Sequence, residues 1–276
     1  MENNKRMKVK IAWFGKHFGE EPPITGKRGT GAIFFSGCNL HCAFCQNWQI
    51  SQNWLGRFYS ESNLAKIILD LEQKGVETID LVSPIVWWKQ IKEAIFIAKK
   101  KDLKIPIIWN TNGTESIEIL RELDGLVDIY LPDYKYSDEK LAQKYSKAID
   151  YPKTAKKAIL EMYRQTGDLE IDDGGVAKKG LIIRHLVLPS NLENTFGCLD
   201  FIRSISDEIH LSLMTQFFPL YKTKDFPEIN RTITGKEFQK VMEYMERLNF
   251  KNGWVQDSLK SPNFLIPDFT KKNPFR

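Results

Sequence analysis

The chain contains no run of about 18 or more apolar residues, so no membrane-spanning helix is expected. The stretch from Met1 to Lys10 is polar and lacks the apolar region of a secretory leader, which makes a cytoplasmic location the expectation. Cysteine is scarce, with four in 276 residues, too few for a disulfide scaffold. Basic blocks are absent as well. The net charge of +5 is mild, and Lys99, Lys100, Lys101 and Lys104 read as a solvated helix end, so no nucleic-acid partner is expected. Internal repeats, low-complexity segments and obvious linkers are also missing.

What remains is the composition of an ordinary globular protein. Hydrophobic residues make up 42% and charged residues 27%, enough to bury a full core. The periodicity alternates along the chain. Thr30–Ser36, Val76–Val82, Ile105–Trp109, Val127–Leu131, Leu181–Leu188 and Ile209–Met214 read as strands. Helical spacing falls between them, at Leu64, Ile67, Ile68 and Leu71, at Ile91, Ala94, Ile95 and Ala98, and from Glu115 to Leu123. It continues through Tyr145 and from Thr154 to Gln165. Asp173-Gly174 predicts a small hairpin joining Leu169–Ile171 to Val176–Lys178. A last amphipathic helix carries Phe238, Val241, Met242, Met245 and Leu248. Six strands followed by helical patterns predict a parallel α/β sheet with right-handed crossovers, and such barrels place chemistry at the C-terminal strand ends. The segment from Ser261 to Arg276, with three prolines, reads as an extended tail on the body.

Three of the cysteines, Cys38, Cys42 and Cys45, lie within eight residues just past the first strand, while Cys198 stands alone. Three thiolates on one loop can hold three corners of a cubane and leave one iron open. Gly37 allows the loop to turn tightly. A zinc site using His41, three inert thiols, and reactive redox cysteines are competing readings. Spacing and strand-end position favour iron–sulfur over zinc, because Cys-x3-Cys-x2-Cys lacks the second half of a zinc ribbon or finger. Cys198 reads as a small buried hydrophobe.

The string Gly31-Ala32-Ile33-Phe34-Phe35-Ser36-Gly37-Cys38-Asn39-Leu40-His41-Cys42-Ala43-Phe44-Cys45-Gln46-Asn47 resembles the radical SAM signature, in particular the proteins named for similarity to the pyruvate formate-lyase activating enzyme. Asp128–Lys135, Tyr151-Pro152, Gly167-Asp168-Leu169 and Arg184–Pro189 extend the resemblance over residues 28 to 256. It implies a partial (β/α)6 TIM-like barrel with a C-terminal extension, divided into an N-terminal segment 1–27, a barrel 28–225, and a C-terminal helix and tail 226–276. It implies a [4Fe–4S] cluster on Cys38, Cys42 and Cys45, with S-adenosylmethionine (SAM) chelating the open iron. One-electron reduction would then release a 5′-deoxyadenosyl radical that takes hydrogen from a substrate. An electron donor such as flavodoxin or ferredoxin follows, and a protein or peptide is one candidate substrate. Glycyl-radical activation and modification of a peptide or small molecule are the two branches; a non-enzymatic zinc or iron–sulfur module is the rival class.

The resemblance also nominates SAM-site residues, each with a plainer reading beside it. Phe44 would lie along the adenine or simply anchor the loop. Asn47 could contact the site or cap the next turn. The Gly-Gly-Glu string that often holds the SAM amine is replaced by Leu81-Val82-Ser83-Pro84, leaving Ser83 as its substitute. Asn110, with Thr111 and Asn112, ends the third strand, where polar groups serve a ribose or a turn. Asp133 and Lys135 end the fourth strand. Arg184 sits in an apolar strand and must be paired or face the interior, because an isolated buried charge is costly. His185, its neighbour, points the opposite way and reads as a packing histidine. Gln216 follows the sixth strand and could reach the adenine or the substrate. Trp87-Trp88 would pack in the core or wall a pocket.

Overall fold

The computed structural model describes residues 8–256 and 266–275. Residues 261–265 and 276 of the expected tail lie outside the described residues. The strands are β1 (Val9–His17), β2 (Thr30–Phe35), β3 (Arg57–Tyr59), β4 (Ile79–Val82), β5 (Ile107–Thr111), β6 (Ile129–Pro132), β7 (Glu170–Ile171), β8 (Ala177–Leu186), β9 (His210–Met214) and β10 (Asn252–Gln256). The helices are α1 (Pro22–Thr25), α2 (Trp48–Ser51), α3 (Glu61–Gln73), α4 (Trp88–Lys100), α5 (Ile117–Leu123), α6 (Glu139–Ser146), α7 (Tyr151–Thr166), α8 (Leu192–Arg203) and α9 (Gly235–Leu248).

One sheet runs in the order β10-β9-β8-β6-β5-β4-β2-β1-β3, and β7 pairs with β8. From β2 through β10 the main path is parallel, while β1 and β3 add antiparallel strands at one edge. The sheet curls but does not close, giving a partial TIM-like barrel. All six strands expected from the sequence are its parallel core. The expected hairpin is present, with β8 running on from its second arm without a break. Strands are drawn from the N-terminal segment (β1) and the C-terminal segment (β10) as well.

The helices form where the apolar spacing places a stripe. In α3, Leu64, Ala65, Ile67, Ile68 and Leu71 are buried, and the Ser60 hydroxyl accepts from Asn63 N at 3.2 Å to cap the first turn. In α4, Ile91, Ala94, Ile95 and Ala98 are buried, and Lys99 and Lys100 sit at the negative C-terminal end. Thr234 and Glu237 close a reciprocal capping box at the start of α9.

Strand alternation separates two cores. Ile33, Phe35, Ile79, Leu81, Ile107, Trp109, Tyr130, Leu181, Ile183, Leu211 and Leu213 pack outward under the helices. The inward positions change character along the barrel. Its base is apolar, with Ile24 of α1 plugging it against Ile108, Ile129, Ala177 and Ile182. One layer up, register brings polar groups together, since Asn110 sits two residues beyond Ile108, and Arg184 lies beside Ser212 and Asp133. This polar layer opens into a cavity at the C-terminal strand ends.

Candidate active site

The cavity has a volume of about 230 Å³ and is lined from one side by Cys38, Cys42, Phe44, Cys45 and Asn47. Ser83, Asn110, Asp133, Lys135, Arg184 and Gln216 line it too, so the three thiols and these expected SAM-site residues share one cavity. The loop that carries the cysteines leaves β2 at Gly37, whose φ is +90°. A Cβ there would stand 2.6 Å from the Trp54 ring, so only glycine fits. The loop is pinned to the end of α6, with Ala43 N donating to Tyr145 O at 2.7 Å and His41 N to Ser146 O at 3.2 Å.

All four cysteines are free thiols. Ser146 Oγ donates to Cys42 Sγ at 3.0 Å, Asn112 Nδ2 to Cys38 Sγ at 3.4 Å, and Ser51 Oγ lies 3.3 Å from Cys45 Sγ. Burial pushes the Cys42 thiol up and the Cys45 thiol to about 12, conditions that a bound metal reverses by deprotonating its thiol ligand. His41 is exposed and turned away, its Nδ1 2.7 Å from Gln52 Oε1, so it is no companion ligand to the thiols. Cys198 is buried in α8, packed in the outer core, and does not line the cavity.

Several nominated residues have different surroundings from those their sequence context suggests. Asn47 stands at the start of α2 yet makes no capping hydrogen bond, and its buried Oδ1 has no partner among the described residues. Gln216 Oε1 is likewise buried and without a partner among them. Ser83 adopts φ +58°, a left-handed conformation that costs a non-glycine residue on the order of 1 kcal/mol or more. Phe44 packs its ring 5.7 Å from that of Phe217. Trp87 and Trp88 do not line the cavity; Trp87 Nε1 donates to Ser36 O at 2.7 Å and braces the end of β2.

The charged residues form one network. Arg184 Nε donates to Asp133 Oδ1 at 2.7 Å and Nη2 to Asn110 Oδ1 at 2.6 Å. Lys135 Nζ donates to Asp133 Oδ2 at 2.5 Å. Burial opposes the Lys135 charge, but Asp133 and the nearby Cys42 together offset it and the ammonium pKa is raised. Burial opposes ionisation of Asp133 too, and Arg184 and Lys135 reverse that, holding its carboxyl below the usual range. Asn110 is fully engaged, donating to Asp80 at 3.2 Å and to Glu20 at 3.4 Å. His185 points outward as expected, with Nδ1 2.7 Å from Tyr134 O and Nε2 3.1 Å from Thr195 Oγ1.

Sequence reasoning missed His17, the last residue of β1, and Glu20 and Glu21 just beyond it, which line the same cavity. The available signal was the string Glu20-Glu21-Pro22-Pro23, adjacent carboxylates before a proline that starts a helix. Burial and the neighbouring Asp80 and Glu21 raise the Glu20 carboxyl well above its ordinary range, and burial raises Asp80 to about 7. Burial lowers the His17 imidazole to about 4. The described tail also contributes: Ile266, Pro267 and Phe275 line the cavity, and the Phe275 ring packs tilted against His17 with centroids 4.2 Å apart.

A curled parallel sheet with a three-thiol loop at its C-terminal mouth defines a class, and the sequence agrees with it. Residues 32–191, more than half of the chain, match the profile described as "Radical SAM superfamily", and the chain belongs to that superfamily. An uncharacterized protein of Methanocaldococcus jannaschii, MJ0674, is 32% identical over 243 residues, which cover 84% of this chain. The chain spans 66% of that relative's length. Among solved structures, Streptococcus suis SuiB superposes with a TM-score of 0.55 at 13% identity, over 80% of this chain and 47% of SuiB. A spore photoproduct lyase variant gives 0.55 at 14% identity, over 89% of this chain and 79% of the lyase. These likenesses are of fold. Radical SAM enzymes use a [4Fe–4S] cluster and SAM, and SuiB has been solved with SAM bound.

Proposed function

We propose that the protein is an enzyme that reductively cleaves SAM at a [4Fe–4S] cluster held by Cys38, Cys42 and Cys45, and uses the product to take hydrogen from a substrate. The observation that carries this reading is the convergence of three free thiols and two orphaned buried acceptors, Asn47 Oδ1 and Gln216 Oε1, on one cavity at the strand ends. The donor set suits a cubane better than a lone ion. No group of three or more His, Cys, Asp or Glu among the described residues is gathered around a single metal position. With His41 turned to Gln52, a zinc centre lacks its fourth ligand.

When bound, the cluster supplies one electron to SAM and so generates the hydrogen-abstracting radical. The chain's own residues bind, orient and exclude water. Ser146, Asn112 and Ser51 direct hydroxyl or amide groups at the sulfurs, interactions of the kind that tune cluster potential. Asn47 and Gln216 are suited to accept hydrogen bonds from the adenine or ribose. Phe44, backed by Phe217, offers a flat apolar wall. Ser83, in place of the usual Gly-Gly-Glu string, would partner the SAM amine. Lys135, which has one carboxylate partner, is the cation suited to the SAM carboxylate. Phe34, Phe275 and Pro267 shield the mouth.

The reductant is a one-electron donor such as flavodoxin or ferredoxin. Hydrogen abstraction from a glycyl-radical enzyme and modification of a peptide or small molecule both remain compatible with this site. SuiB, described bound to its precursor peptide SuiA, supports the peptide branch by fold alone. The test is formation of 5′-deoxyadenosine from SAM by anaerobically reconstituted, dithionite-reduced protein. Wild type should form it and Cys42→Ala should not. Absence of 5′-deoxyadenosine from a wild-type sample carrying a full cluster would overturn the proposal.

A further inference from the structure

One wall of the cavity is over-supplied with acid. Among the described residues, Glu20, Glu21 and Asp133 share the lining with two cations, Arg184 and Lys135, while Asp80 accepts from Asn110; both cations bond to Asp133. Arg184 then has little left for the others. It lies 3.5 Å from Glu20 Oε2 and 4.0 Å from Glu21 Oε2, the latter beyond hydrogen-bond reach. Glu21 is 1% exposed. Glu21 lines the cavity; its Oε1 accepts from Ser212 Oγ at 3.1 Å, while its Oε2 has no hydrogen-bond partner among the described residues. A buried, unpartnered carboxylate oxygen is expensive, and a fold keeps one where a ligand completes it. Beside these carboxylates the cavity is apolar, with Phe34, Leu186 and Met214.

We infer that this wall is the substrate subsite and that the substrate carries an alkylammonium group, its nitrogen donating to Glu21 Oε2 and Glu20 and its carbon stem lying on Phe34, Leu186 and Met214. An ammonium has three donors, which suits two adjacent carboxylates, and a charge-assisted bond rewards a cation over a neutral donor. A metal ion is the poorer occupant, because no three metal-ligating side chains among the described residues converge there. The inference rests on the proposed radical SAM reading in that it names the substrate of that cavity. SAM carries an ammonium of its own, so the test must separate the two sources.

Hexylammonium chloride and its neutral analogue 1-hexanol are the probes, titrated calorimetrically into the reconstituted holoenzyme with and without SAM. SAM is titrated separately into wild type and Glu21→Gln. Wild type should prefer hexylammonium by about tenfold or more. Glu21→Gln should bring that preference close to one and leave SAM affinity within about twofold. Equal binding of amine and alcohol, or no binding of hexylammonium, to wild type overturns the inference without reference to any variant's folding. So does a Glu21→Gln protein that keeps the preference but loses SAM, which would assign the carboxylate to SAM's own ammonium. Failure of wild type to bind SAM while hexylammonium is still preferred would instead count against the radical SAM reading and leave the cationic subsite standing.

Discussion

At the scale of single residues, the cysteines separate by surroundings. Cys38, Cys42 and Cys45 line the cavity, whereas Cys198 packs among apolar side chains under α8. Replacing any of the three with Ala should reduce bound iron from about four per chain to near none, and Cys198→Ala should leave it unchanged. Iron and sulfide analysis of each reconstituted variant checks this; iron loss in Cys198→Ala equal to that in Cys42→Ala would contradict the ligand set. The two cations part company as well. Arg184 bonds to Asp133 and Asn110 and is the nearest cation to Glu20 and Glu21, so Arg184→Ala should destabilise the fold by about 3–5 kcal/mol. Lys135→Ala should weaken SAM binding by about tenfold or more and cost less stability. A melt and a SAM titration on each variant distinguish these outcomes. His185 supplies a further check. A carbonyl only accepts, so Nδ1 must carry the proton given to Tyr134 O, and burial lowers the ring to about 4. Its folded pKa lies below the unfolded value, so its contribution to stability is present above about pH 6.5 and is lost as pH falls towards 4. Nitrogen NMR at pH 6 should find a neutral Nδ1–H ring; an imidazolium there would contradict the burial argument.

At the scale of elements, legibility followed burial pattern. The six parallel strands are buried on both faces and read as continuous apolar runs, as in Thr30–Phe35, where every residue is buried. β1 alternates buried and partly exposed residues, with Lys10 and Lys16 diluting the signal; β3 is a three-residue edge strand, and β10 is an edge strand with no fully buried residue. The nominated site residues were legible because they lie near or just past the C-terminal ends of parallel strands, which converge. Glu20 and Glu21 were not, because they arrive from an antiparallel strand through a proline-started turn, to which that rule does not apply. Trp87 shows an element position serving structure. Its indole donor holds the Ser36 carbonyl beside the cysteine loop, and Trp87→Phe should cost about 1 kcal/mol while keeping iron. Urea unfolding alongside iron analysis measures both; unchanged stability would remove Trp87 as the brace of β2.

At the scale of the whole molecule, one curled sheet grades from an apolar base at Ile24, Ile108 and Ile182 to a charged middle layer and then to the thiol-lined mouth. The gradient sets a closed floor beneath the reactive end, and the described tail adds Phe275 and Phe269 against Phe34 at the top. No helix among the described residues is long and apolar enough to cross a membrane. The central claim is that three thiols hold a cluster with one iron open to SAM. Electron paramagnetic resonance of the reduced, reconstituted protein tests it most directly. Adding SAM should change the spectrum in wild type, because the open iron gains ligands; a spectrum unchanged at saturating SAM would contradict the account.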